Sequence, residues 1–394
     1  MTKYWNEMIQ HRLQSFAEAG LKRELRPVRQ VCQPVLVYQG KQLLNFSSNN
    51  YLGLAGHPEI IAAEKEAAER GAGGVASRLI IGHDEAIEEL EYELARFQDK
   101  EAALVFANGY MANVGILSAF LGRHDAVFSD RLNHASIVDG IRLSGAVHYR
   151  YHHGDLNHLE LQLKKAEQKG IKRRLIVTDS VFSMDGDVAP LKEIIFLKEK
   201  YGAALMIDEA HAGGVFGEEG QGMAHQLGIH GQVDLHMGTF SKAFGVYGAY
   251  IAGKKEWIQY LVHTCRSLIY TTALPPTVVG GIRKALKLVQ NGNELRQMLA
   301  EKSQYVRREL REAGLDIGSS STQIIPIVLG DERTTLAFSE KLLACGILSV
   351  AIRPPTVPKG SARIRLSIMA NHEWDDLRKA VHVIKEIAKE LEVI

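Results

Sequence analysis

A chain of 394 residues is longer than one hydrophobic core fills, so two bodies and a large buried interior are expected. Its 46% hydrophobic and 24% charged residues are ordinary for a soluble globular protein, and a net charge of +1 gives no field for nucleic acid or an anionic membrane. Cys32, Cys265 and Cys345 are far apart with no Cys-x-x-Cys pair, which excludes a disulfide framework and fits a reducing cytoplasm; neither a signal-peptide core nor an apolar run of ~18 residues is present.

In chain order, Trp5, Met8, Ile9, Leu13 and Phe16 fall on one face of a predicted helix, with Gly20 as its stop. Val35–Tyr38, Gln-Gly and Leu43–Phe46 read as a hairpin. From about residue 51 to 288 helical and strand patterns alternate: the helical face Ile87, Leu90, Leu94, Phe97 precedes the apolar strand Ala103–Phe106, and Leu175–Val177, Ala204–Ile207 and Val233–Met237 read as further strands. Short apolar strands between amphipathic helices indicate a mostly parallel sheet covered on both faces, an α/β fold whose ligand lies beyond the carboxyl ends of the strands. Strands near Gln323–Val328 and Arg363–Ser367, then a helix with Leu377, Ala380, Val381, Ile384, Ile387, Ala388 and Leu391 on one side, predict a smaller α+β body. The expected division is an N-terminal segment 1–45, a large body 46–285 and a small body 286–394.

Polar clusters fall where those strands end. Lys242, in Thr239-Phe-Ser-Lys242, is placed to lose its proton and attack an aldehyde, since partial burial and nearby positive charge lower an amine's pKa. Taken alone it also reads as an ordinary solvated lysine. Asp208 follows four apolar residues; it reads equally as a helix N-cap or as the partner of a protonated ring nitrogen, a recurring feature of pyridoxal phosphate sites. His211 would reach the same ligand from the same turn, His134 has small neighbours that let an imidazole lie flat on a planar ring, and Ser183 could donate to that ring system. Gly109 and Tyr110, opening a predicted helix, offer backbone N–H groups to an anion, and Thr239 and Ser241 offer hydroxyls to the same phosphate. The implied ligand has an aldehyde, a ring nitrogen and a phosphate.

Other patterns point nowhere. Gly71–Ser77 lacks the G-x-G-x-x-G spacing and a preceding strand, His152-His153 and His372-Glu-Trp lack metal-ligand spacing, so no zinc is expected, and neither a P-loop nor a G-x-S-x-G elbow occurs. Arg353, between Ile352 and two of three nearby prolines, reads either as a surface arginine or as a rigidly held carboxylate clamp, with Asn49 as a second contact to an amino-acid substrate.

Asn49-Asn-Tyr-Leu-Gly-Leu54, Asn133-His-Ala-Ser136, Phe182-Ser-Met-Asp-Gly186, Asp208-Glu-Ala-His211 and Thr239-Phe-Ser-Lys242 together resemble the α-oxoamine synthases, over about residues 46–372 and in family order. The resemblance implies a pyridoxal phosphate-dependent transferase of fold type I, in which Lys242 carries the cofactor and serves as base. It also implies that Asp208 keeps the ring nitrogen protonated and that Arg353, Asn49 and Thr356 contact the substrate. Arg23 is a further candidate contact, to the acyl carboxylate or the nucleotide. A homodimer with sites at the subunit interface follows from the same resemblance, with Thr271 and Thr272 reaching the other subunit's phosphate. Ser183–Pro190, Thr239–Val246, Tyr270–Pro276 and Arg353–Pro358 resemble the branch that joins L-alanine to a pimeloyl thioester in the biotin pathway. Asn133–Arg142 and Gly71–Gly82 lean toward the branch joining glycine to acetyl-CoA. A non-catalytic subunit would lack the lysine, and this chain has it.

Overall fold

The computed structural model describes residues 2–18, 22 and 25–394. Its strands run β1 (Val35–Tyr38), β2 (Lys41–Asn45), β3 (Ala102–Phe106), β4 (Ala126–Asp130), β5 (Val147–Tyr151), β6 (Arg174–Asp179), β7 (Ala204–Asp208), β8 (Leu235–Thr239) and β9 (Ala249–Gly253), then β10 (Ile324–Gly330), β11 (Ile347–Leu348), β12 (Ala351–Ile352) and β13 (Ala362–Ser367). Among the described residues seven of these form one sheet in the order β3-β9-β8-β7-β6-β4-β5. The pairs from β8 to β5 are parallel, while β9 runs antiparallel to both β3 and β8. The mostly parallel sheet expected from the apolar runs is therefore found, with β9 as its reversed member.

Alternation along each strand divides the side chains between two cores. Leu175 and Val177 of β6 and Met206 of β7 join one cluster with Ile116, Ile137 and Ile258. Ile176, Leu205 and Ile207 point the other way, into a cluster that continues through Leu299, Ile325, Leu366 and Ile384. The second core thus runs without a break into the C-terminal part, where β10, β13 and β12 pair antiparallel under the helices Asn293–Glu312, Glu332–Ala344 and Trp374–Glu390. Residue 286, the expected start of the small body, falls inside the helix Pro276–Gln290.

At the N-terminus the helix Thr2–Glu18 forms where the periodicity puts it, yet buries none of its residues; Trp5 is 65% exposed. Gly20, its expected stop, lies outside the described residues. The hairpin of β1 and β2 also forms, turning at Gln39 and Gly40, and β2 then pairs in parallel with β11 near the other end of the chain. The strand expected at Val233–Met237 is shifted: β8 spans Leu235–Thr239, and just before it Asp234 meets Leu205 through its carboxylate, which accepts the Leu205 N–H, in place of a backbone carbonyl. The shift carries Thr239 to the strand's last position, three residues before Lys242.

Candidate active site

Lys242 sits in the turn after β8, half-buried, with its Nζ 2.9 Å from His211 Nε2. Burial lowers its pKa to about 8, although the Asp208 and Asp179 carboxylates pull the other way. On the far side of the ring, His211 Nδ1 is 2.7 Å from the Tyr51 hydroxyl. Tyr51 donates to Asn49 Oδ1 at 3.1 Å, and Arg365 Nη2 donates to the same oxygen at 3.1 Å. Burial, then the charges of Lys242 and Arg365, push His211 well below its usual pKa, so the ring is neutral with a single N–H. An ammonium donating to Nε2 leaves Nδ1–H to donate to Tyr51, whose hydroxyl donates onward to Asn49. When the lysine is neutral the opposite tautomer serves, with Nε2–H directed at Nζ and the Tyr51 hydroxyl at Nδ1. Either state of Lys242 is therefore accommodated without moving a heavy atom.

Asp208 ends β7, 4% exposed, and a turn follows it rather than the helix that the N-cap reading supposes. Oδ1 accepts the Ala210 N–H at 2.9 Å, as a turn-capping aspartate does, and Oδ2 accepts Asn113 Nδ2 at 2.8 Å. Asn113 also donates to Ser136 Oγ at 3.0 Å, and Ser136 lies 2.7 Å from Nδ1 of His134, the N-cap of the helix Ala135–Ser144. Burial lowers the pKa of His134. One polar network therefore ties Asp208 to His134, while Lys242 and His211 approach from the neighbouring turns.

The helix Gly109–Phe120 begins beside β8. A Cβ on Gly109 would stand 2.7 Å from Thr239 Cγ2, so glycine is what allows the helix start to approach Thr239. The Thr239 hydroxyl is buried with no hydrogen-bond partner, and Ser241 is exposed two residues on. An orphaned hydroxyl beside the first N–H groups of a helix, at Gly109 and Tyr110, suits a phosphate. With a low-pKa amine and a buried carboxylate nearby, these residues fit pyridoxal phosphate.

The remaining candidates lie as follows. Ser183 is half-buried in the turn after β6, and its carbonyl accepts Arg365 Nε at 2.6 Å. Arg353 follows β12 and closes a turn with Thr356, whose N–H donates to the Arg353 carbonyl at 3.0 Å. Thr272 bridges to Ser77, and with Thr271 it lines a small hollow beside Arg78, Phe106 and Ala107. Arg23 lies outside the described residues. The arginine whose guanidinium meets Asn49 is Arg365, which the sequence reading passed over together with Tyr51 and Asn113. A signal for Arg365 was present: Ala362-Arg-Ile-Arg-Leu-Ser367 puts two arginines at period two within an apolar strand, hence on one face, and both prove buried.

The family model described as aminotransferase class I and II matches residues 41–384. A Bacillus cereus protein named "Putative 8-amino-7-oxononanoate synthase" is 49% identical, over 99% of each chain, and a Bacillus anthracis protein of the same name is 49% identical over 100% of each. Among solved structures, one of SPT with PLP superposes with a TM-score of 0.92 at 30% identity, covering 100% of each chain. The 8-amino-7-oxononanoate synthase of Francisella tularensis superposes at 0.76 with 28% identity, over 89% of this chain and 99% of that one. The chain belongs to the aminotransferase class I and II family, as a pyridoxal phosphate-dependent acyltransferase of the α-oxoamine synthase type.

Proposed function

We propose that the protein condenses L-alanine with a pimeloyl thioester, releasing carbon dioxide and free thiol, to give 8-amino-7-oxononanoate for biotin synthesis. The observation that carries the reaction class is the half-buried Lys242 amine, its pKa lowered to about 8, standing 2.9 Å from His211 and feeling the Asp208 and Asp179 charges. The choice of acyl group rests on the relatives alike end to end at 49% identity.

Pyridoxal phosphate, when bound, supplies an aldehyde to which an amine adds and a ring that accepts an electron pair from the α-carbon. Lys242 Nζ would be the amine that holds it and, once free, the base for the α-proton of L-alanine. Asp208 would keep a ring nitrogen protonated, and His134, Ser183 and His211 would hold the ring. Gly109, Tyr110, Thr239 and Ser241 would hold the phosphate. For the substrate, Asn49 Oδ1 is already taken by Tyr51 and Arg365, so its Nδ2 is left to donate to the amino-acid carboxylate, with Arg353 and Thr356 completing that contact.

The reading includes a homodimer in the cytoplasm. Supporting the dimer is an exposed apolar stretch, Val75, Leu79, Ile80, Ile81 and Tyr270, built on the segment that the Ser77–Thr272 bridge joins to the Thr271–Thr272 run. Supporting the location are three cysteines that are all free, and among the described residues no helix is long and apolar enough to cross a membrane.

The test is thiol release with L-alanine plus pimeloyl-CoA, against glycine plus acetyl-CoA and against L-serine plus palmitoyl-CoA. The first pair should turn over fastest. Faster release with either of the others would overturn the assignment of substrates while leaving the reaction class standing. A colourless protein that gains no absorbance with pyridoxal phosphate would overturn both.

A further inference from the structure

Three neighbouring strands of the sheet, β4, β6 and β7, each end on a buried aspartate: Asp130, Asp179 and Asp208, at 2%, 4% and 4% exposure. Neighbouring strands stand about 4.8 Å apart, so three carboxyls share a short row in a poorly solvated place. Burial, then the charges of Asp208 and Asp130, raise the Asp179 pKa well above the usual carboxylate range. Lys242 lies near the Asp208 end. The other end is covered by His153, a residue outside the cofactor site.

Both ring nitrogens of His153 face carboxylates. Nδ1 lies 3.1 and 3.2 Å from the two oxygens of Asp130, and Nε2 lies 2.8 Å from Asp187 Oδ2. A carboxylate oxygen only accepts, so a neutral ring would turn one lone pair against another, and only the imidazolium satisfies both sides. The edge of the Phe182 ring system packs on it, with centroids 4.4 Å apart and planes at 87°. Burial lowers the His153 pKa, but the hydrogen bonds to Asp130 and Asp187 outweigh it and raise the value to about 10. Beyond Asp130 the titratable groups are Tyr151 on β5 and Asp179 on β6.

Asp187 closes the turn that holds Ser183: the Phe182 N–H donates to the Asp187 carbonyl at 3.0 Å, and Gly186 N–H to the Phe182 carbonyl at 2.9 Å. The C-terminal part grips the same turn from outside, through Arg365 to the Ser183 carbonyl at 2.6 Å, Arg363 to Asp185 at 2.5 Å and Thr322 to the Gly186 carbonyl at 2.8 Å. The other Asp187 oxygen is buried without a partner, so His153 supplies that carboxylate's anchor.

We propose that His153 is a positioning residue: a fixed imidazolium that clamps the 182–187 turn onto the row of strand-end carboxylates and so sets Ser183 and the Arg365–Asn49 contact. Its charge is permanent across physiological pH. Because its folded pKa lies above the unfolded 6.5, the clamp contributes fully below that value and fades as pH rises toward about 10.

The direct test is 15N NMR of histidine-labelled wild-type protein, with the His153 signals identified by their loss in H153Q. Both ring nitrogens should keep protonated shifts from pH 6 to 9; a ring that turns neutral below pH 8 would overturn the proposal, whatever the substrate. The kinetic arm rests on the function proposed above. H153Q and D187N should each raise KM for L-alanine by ~10-fold with a smaller fall in kcat, the double variant should be no worse than either single one, and H153R should recover most of the loss. Independent, additive losses, or a lowered Tm with KM unchanged, would reduce His153 to a structural contact. Should H153Q fail to fold, D187N still reads the same coupling, because it keeps the histidine and removes one of its two anions.

Discussion

At the scale of single residues, the site depends on an amine kept from being an ordinary lysine. Burial brings Lys242 to about 8, so apoprotein should capture pyridoxal phosphate faster as pH rises, by about tenfold per unit while the ammonium dominates, and level off above that value. The growth rate of the yellow band against pH measures it, and a rise that continues past pH 10 would mean a lysine in water. Lys242→Ala should cut thiol release by ~10³-fold or more and abolish borohydride fixation of the cofactor, read by mass spectrometry of the labelled peptide. Arg365 makes a second case: its guanidinium meets Ser183, Ser367, Asn49 and Tyr51, and lysine cannot reproduce that fork. Arg365→Lys should raise KM for L-alanine by ~10-fold or more with cofactor retention unchanged, as steady-state kinetics would show. Short polar clusters after apolar runs singled out candidates such as Asp208 and Lys242, and the fold brings those two within electrostatic reach of each other. For Arg365 the sequence offered only the sign of its burial, since its strand lies some 120 residues further along and nothing local says which groups a buried arginine will meet.

At the scale of elements, apolar runs located β3, β6 and β7, and heptad-like spacing located the helix Trp374–Glu390, which buries six of the seven expected residues, Leu391 lying just past its end and half-buried. Strands with polar members were harder to see. β5, Val147-His-Tyr-Arg-Tyr151, is an edge strand and β4 ends in Ser-Asp, so neither offers a continuous apolar run. The turn after β6 shows what backbone geometry contributes. Gly186 has φ +68°, and a Cβ there would stand 1.9 Å from the Ile324 carbonyl oxygen, so the turn and β10 meet through the missing side chain. Gly186→Ala should therefore cost about 2–4 kcal/mol in chemical denaturation, from backbone strain plus displacement of β10. Gly202, at φ +55° with nothing within 4 Å of an added Cβ, supplies the control. Gly202→Ala should cost about 1 kcal/mol, the conformational share alone, and equal losses at the two positions would rule out the contact argument.

At the scale of the whole molecule, large apolar side chains stand exposed in two stretches. Ile80 and Ile81 are 74% and 75% exposed, and the helix Thr2–Glu18 presents Trp5 and Leu13 uncovered by any described residue. A dimer should sediment at twice 43.7 kDa, and Ile80→Asp should shift it toward the monomer and lower thiol release in parallel. A variant that stays dimeric and fully active would place the interface elsewhere. The change in pattern along the chain marked where the three-stranded C-terminal sheet begins, but not that one core would run on into it. Nor did it mark the attachment of β1 and β2 to β11, since pairing across such a distance leaves no local trace.

That attachment also bears on how the protein is made. Ser47 donates to the carbonyl of Leu348, 301 residues later, and β2 finds its parallel neighbour in the same segment. At about 5–20 residues per second, the hairpin leaves the ribosome some 15–60 s before that neighbour exists. During that interval its edge stands unpaired, which makes the N-terminus a poor place to add an aggregation-prone tag.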